Sequence, residues 1–137
     1  MKEWSNDWKA SKNPRKQRKY TYNAPLHIKK NFVSVNLSKD LRQKHKTRNI
    51  QVKKGDSVIV LRGQFKKKTG KISRVDLRRT KVYIEGIETV KHDGKKVGFP
   101  FAPSNLQIKE LNLEDRKRLK HLKGDKENAK SKTPQKA

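Results

Sequence analysis

Residues 52 to 75 read "VKKGDSVIVLRGQFKKKTGKISRV", with Lys66, Lys67 and Lys68 in a row between Gly63 and Gly70. Ammonium groups crowded on a short loop suit phosphate oxygens. They act as mobile point charges that give affinity by counterion release and little readout of sequence. The bracketing glycines permit tight turns because glycine tolerates positive φ and close backbone approach, and this geometry puts Gly70 at positive φ. Phe65 has two uses: stacking on an unpaired base or ribose, or covering the end of a β-core, with packing the favoured reading. Catalytic chemistry finds no comparable cluster. His27, His45, His92 and His121 are scattered, cysteine is absent, and no paired carboxylates stand at metal spacing. Asp56 and Asp93 each lie beside a glycine and read as turn acceptors rather than general bases. The expectation is therefore no enzyme, no metal, no cofactor and no small-molecule substrate.

The charge of the whole chain agrees with that loop. Thirty-eight Lys plus Arg against 13 Asp plus Glu give a formal net charge of +25 over 137 residues. Self-repulsion of this size favours a polyanionic partner. No stretch approaches the roughly 18 apolar residues of a membrane span, and no strongly amphipathic basic helix is visible, so nucleic acid is preferred over a membrane. With 30% of residues hydrophobic and 37% charged, the chain supports one small core with solvated extensions. The start, "MKEWSNDWKASKNP", has no apolar signal-peptide core. Together with the lack of cysteine this predicts a reducing interior compartment.

The elements that must hold the loop follow from pattern. "SVIVLR" and "KISRVDL" predict strands flanking the lysines, and "KVYIEG", "IETVK", "KVGFPF" and "NLQIKEL" predict further short strands, with Asp93-Gly94 as a hairpin turn. Alternation places Val58, Val60, Val82 and Ile84 inside. Ile72 and Val75 are three apart, which breaks the period of two and predicts a bulge near Ser73 and Arg74. Val75, Ile87, Val90, Phe99, Leu106 and Ile108 complete the predicted core. The rhythm is that of a small, strongly bent barrel. Upstream, Asn13-Pro14 predicts a helix start before the basic run "RKQRKY", which has no apolar stripe to dock. Ser38 predicts a cap for "KDLRQKHK", anchored by Leu37 and Leu41. Downstream, Asn112 and Asp115 predict a helix with Leu119 and Leu122 on its stripe and Gly124 at its close.

The residues from 52 to 75 resemble the KOW motif, a strand-loop-strand unit of ribosomal proteins and of NusG-type transcription elongation factors. The flanks, "YNAPLHIKKNFVSVNLSKDLRQKH" and "PFAPSNLQIKEL", resemble the archaeal and eukaryotic branch of the universal large-subunit ribosomal protein L twenty-four family. That resemblance covers roughly Tyr22 to Leu122. It implies a mainly β fold, a small SH3-like (KOW) barrel with a basic N-terminal extension, short flanking helices and a disordered C-terminal tail. In residues, these are a basic RNA-binding extension over 1–47, the barrel over 48–112, a helix over 113–124 and the tail over 125–137. It implies a cytoplasmic constituent of the large ribosomal subunit that binds large-subunit ribosomal RNA and neighbouring ribosomal proteins, acts early in assembly and sits near the peptide tunnel exit.

By motif, Gly55, Asp56, Gly63 and Gly70 would punctuate the turns. Arg62, Lys66, Lys68 and Lys71 would line the RNA side, with Phe65 and Lys67 in the same loop. "APLHIKK" would contribute His27, Lys29 and Lys30, and "LSKDLRQK" would contribute Arg42 and Lys44. From the extension, Arg15, Lys16, Arg18 and Lys19 read as further phosphate contacts. Two positions depart from the family pattern: Lys67, where glycine is common, and Ala102, where histidine commonly precedes "PSN".

The alternatives are a transcription-linked KOW module and a peptide-binding SH3-like adaptor. A NusG-type factor carries a separate α/β domain ahead of the motif, where this chain has only a basic extension. An adaptor needs an exposed aromatic groove, whereas Phe65, Tyr83, Phe99 and Phe101 are dispersed among lysines.

Overall fold

Period-two burial builds the sheet. In Ser57–Val60 and Lys81–Ile84 every second side chain is buried, and these are the four expected, Val58, Val60, Val82 and Ile84. The computed structural model describes residues 4–115 together with Lys117, Arg118 and Leu122. The predicted positions Leu119, His121 and Gly124, and the tail from 125, lie outside the described residues.

In chain order the elements are a 3-10 turn (Asn6–Ala10), α1 (Pro14–Asn23), α2 (Leu26–Phe32), β1 (Ser34–Leu37), α3 (Lys39–His45) and β2 (Asn49–Gln51). Then come β3 (Ser57–Val60), β4 (Thr69–Asp76), β5 (Lys81–Ile84), β6 (Glu88–Val90), β7 (Lys96–Gly98), a 3-10 turn (Pro103–Asn105) and β8 (Leu106–Glu110). Six strands form a mixed sheet in the order β2-β1-β8-β3-β4-β5, and β6 pairs with β7 alone. The β1–β8 pairing is parallel and the other pairings are antiparallel. A bridge between Val82 and Phe101 ties the edge strand β5 to the segment leading into β8, through reciprocal N–H···O bonds of 2.9 and 2.8 Å. The β4–β5 register shifts between Ile72 and Arg74, the bulge that the Ile72–Val75 spacing predicts.

Two strands, β1 and β2, precede the first one expected from the sequence. They bring Val33, Val35 and Leu37 into the core beside Leu106 and Ile108, with Ile50 packed against it. The alternation in "VSVNL" carries this strand, but basic residues on both sides mask it. Val90, expected inside, is 62% exposed. The β6–β7 hairpin is not hydrogen-bonded into the main sheet, so its side chains have no layer to bury against; Phe101 is buried in the core instead.

Asn13 caps α1, its Oδ1 accepting from the Arg15 N–H at 3.0 Å, with Pro14 in the first helical turn. The expectation that α1 has nothing apolar to dock is corrected. Tyr20 is buried with its ring 5.2 Å from Trp4 and 6.0 Å from Phe32. Its hydroxyl donates to Asn6 Oδ1, while Trp4 Nε1 donates to its carbonyl. Three aromatic residues spaced 16 and 12 apart fit no helical period, which hid the cluster. Ser38 caps α3 by accepting from the Leu41 N–H, and Leu37 and Leu41 anchor it on the core.

Candidate nucleic-acid interface

The lysine loop is a folded turn rather than a loose excursion. Lys66 N–H donates to Gly63 O, Lys68 N–H to Phe65 O, and Lys67 N–H reaches back to Val60 O at 2.8 Å. Val60 N–H in turn donates to Lys68 O. These bonds fix the backbone of the turn, and Arg62, Lys66, Lys67 and Lys68 are left exposed. Gly63 (φ +94) and Lys67 (φ +70) supply the left-handed corners. Lys67 therefore occupies the backbone conformation that glycine favours.

Gly70 does not. It lies outside the left-handed region, which corrects the expected loop geometry, and its role is close approach. A Cβ there would stand 2.6 Å from Ile84 Cγ2 and 3.1 Å from Glu85 O.

Beneath the loop, Phe65 packs edge-to-face on Phe99 (5.0 Å) and Phe101 (5.9 Å), with Lys68 Nζ 5.1 Å from its ring centroid. Packing is thus the role its geometry supports. The three rings that look dispersed in sequence meet at one edge of the core, beside Arg62 and Lys81 in a shallow pocket of about 190 Å³.

At the turn between β2 and β3, Asp56 is fully buried and accepts four hydrogen bonds. Its donors are Lys53 N–H, Asn112 N–H, and both terminal nitrogens of Arg118 at 2.6 and 2.7 Å. The turn role read from sequence is present, but the larger part is a buried ion pair. Arg118 was missed because it sits in a basic run of the sequence, "RKRLK", where nothing marks one cation as inward-facing. Lys53 forms an ion pair with Asp115 beside this hub. Its amine lies below its ordinary pKa, first because partial burial strips some water from it and then because Arg118, Lys30 and Lys117 repel added charge; Asp56 opposes them.

The sequence-derived cations do not gather in one cleft. Arg18 and Lys19 face the β4–β5 turn, Lys30 lines a pocket of about 320 Å³ with Lys53, Lys117 and Arg118, and Lys66, Lys67 and Lys68 stand at the other end of β4. Arg15, Lys16, His27, Lys44 and Lys71 are exposed, and Lys29 and Arg42 are half-buried. Among the described residues no group of three or more His, Asp or Glu could hold a metal ion, and no helix is long and apolar enough to cross a membrane.

The site is thus a mixed six-stranded sheet with cationic turns at both ends of β4 and basic helices ahead of it in the chain. A family model that describes the eukaryotic ribosomal proteins L26 and their archaeal counterparts of the L twenty-four type matches residues 11–124. The chain belongs to this ribosomal protein family, and its role is structural, in the large subunit.

Proposed function

We propose that the chain binds large-subunit ribosomal RNA through phosphate contacts, as a cytoplasmic protein that joins the subunit early in assembly and lies near the peptide tunnel exit, among other ribosomal proteins. The carrying observation is the turn from Leu61 to Thr69. It presents Arg62, Lys66, Lys67 and Lys68 outward on a hydrogen-bonded frame with no carboxylate among its residues. Four cations fixed this closely repel one another, and a phosphate backbone relieves that repulsion while releasing counterions. The exposed Arg15, Lys16, Arg18, Lys19, His27, Lys30, Lys44 and Lys71, with the half-buried Lys29 and Arg42, extend the same contact over other faces.

Sedimentation of cell extracts through high-salt sucrose gradients tests this reading. Stoichiometric association with large subunits is the expected result. Recovery in a free pool with RNA polymerase would favour a transcription-linked KOW module instead.

A further inference from the structure

The β4–β5 turn, "DLRRT", carries two arginines that lie beyond the KOW-like stretch of residues 52 to 75. Arg78 and Arg79 lie across an open cleft of about 840 Å³ from Arg18, Lys19 and Tyr22 of α1. Tyr22 is 81% exposed, the most exposed of the large hydrophobic side chains among the described residues. Lys29 Nζ lies 5.8 Å from its ring centroid and also donates to the Arg78 carbonyl at 3.4 Å, which links α2 to the turn. Among the described residues no carboxylate lines the cleft. The nearest in sequence, Asp76, accepts from the Arg79 N–H and so serves its own turn. Thr80, at φ +52, holds the turn in a left-handed corner, so the arginines project from a defined backbone.

Apart from that Lys29 contact, the Tyr22 ring is left in water, and the cations around it repel one another. Both costs are relieved by a ligand that brings a flat apolar face and negative charge together, which is the chemistry of a nucleotide. An acidic peptide matches the charge and leaves the ring unused.

We infer that this cleft takes one unpaired nucleotide of RNA, its base stacked on Tyr22 and its flanking phosphates held by Arg78 and Arg79 on one side and Arg18 and Lys19 on the other. This rests on the RNA-binding reading above and adds a contact at the end of β4 opposite the lysine loop, about 25 Å away by strand rise.

The test uses the full chain and an oligouridine of about 12 nucleotides carrying one 4-thiouridine, within the site size of single-strand binders. Photocrosslinking is expected to place the adduct on Tyr22. Tyr22→Ala should weaken binding roughly tenfold while Tyr22→Phe binds as the parent does, since stacking needs the ring and not the hydroxyl. The pair Arg78→Gln and Arg79→Gln should lower the slope of log K against log salt by about 1.4. Because Tyr22 is exposed, its variants fold as the parent does. If the parent binds but Tyr22→Ala binds equally and the adduct lies elsewhere, the cleft is not a nucleotide site and the RNA reading stands. Failure of the parent to bind either the oligouridine or large-subunit RNA would overturn both. Binding of oligoglutamate in competition with oligouridine, with Tyr22→Ala affecting neither, would assign the cleft to an acidic protein segment and overturn the inference.

Discussion

Arg118 closes a two-pronged pair on Asp56, Nη1 to Oδ1 at 2.6 Å and Nη2 to Oδ2 at 2.7 Å, with both side chains buried. The same guanidinium donates to the carbonyls of Asn112 and Gln51. Residues 62 positions apart are thereby fixed together, and the chain after β8 is tied to the turn that starts β3. Breaking a buried pair from one side strands the other charge without water. Asp56→Ala should therefore destabilise the fold by about 3 to 5 kcal/mol. Arg118→Ala should cost less than Asp56→Ala, because Lys53 and Asn112 still donate to the carboxylate. Urea unfolding of both singles and the double variant checks this; strictly additive losses would show that the pair is not coupled.

Gly70, paired with Val58 of β3, lies against the side chain of Ile84 in β5, and the space between them is smaller than a methyl group. Gly70→Ala should cost about 1 to 3 kcal/mol through overpacking rather than through backbone strain. The discriminating measurement is a double-mutant cycle. In an Ile84→Ala background the Gly70→Ala penalty should shrink, with the Glu85 carbonyl accounting for what remains. An unchanged penalty would place the strain elsewhere.

Much of the fold was legible in the sequence, and the exceptions share a cause. Strands whose apolar residues alternate among neutral neighbours, such as β3 and β5, are plain from period alone, and the bulge followed from a single broken interval between Ile72 and Val75. The β1 strand has the same alternation but is set among lysines and asparagines, so composition outweighed period. Arg118 and Arg78 show the limit for charged residues. Both are arginines in basic runs, yet one is buried on Asp56 and the other lines an open cleft. Only tertiary context separates them. Gly70 and Lys67 were exchanged in the same sense: the residue type suggested the left-handed corner at the glycine, while the hydrogen bond from Lys67 N–H to Val60 O puts it at the lysine.

Lys67 offers a substitution that separates conformation from charge. At φ +70 a glycine avoids the Cβ clash of the left-handed region, so Lys67→Gly should raise stability by about 0.5 to 1 kcal/mol. The same change removes a phosphate contact and should lower the salt slope of RNA binding by about 0.9. Thermal melting and salt-dependent binding of one variant then move in opposite senses. A fall in both would mean that the Lys67 side chain supports the turn itself.

Replacing Lys66, Lys67 and Lys68 together with alanine should lower that slope by about 2 to 3 on large-subunit RNA, and by a similar amount on unrelated structured RNAs, because ammonium groups read charge and not base identity. Filter binding between low and moderate salt reports the slope directly. No change would remove this loop from the RNA face.

The helix α1 is held differently from the sheet. Tyr20 is its only buried residue, and its ring rests on Trp4 and Phe32 rather than on the main core. Its sequence, "PRKQRKYTYN", places Arg15, Lys16, Arg18 and Lys19 within two turns, where like charges oppose helix formation. So thin an anchorage should let α1 open at lower free energy than β3 or β4 in the free protein. Phosphate neutralises those four side chains, so RNA should slow amide exchange over Pro14–Asn23 by a larger factor than over the sheet. Exchange measured on free and RNA-bound protein decides it, with Tyr20→Ala as a control expected to speed exchange in α1 while leaving β3 unchanged. Protection of α1 equal to that of β3 without RNA would show that the aromatic cluster alone is sufficient to hold the extension.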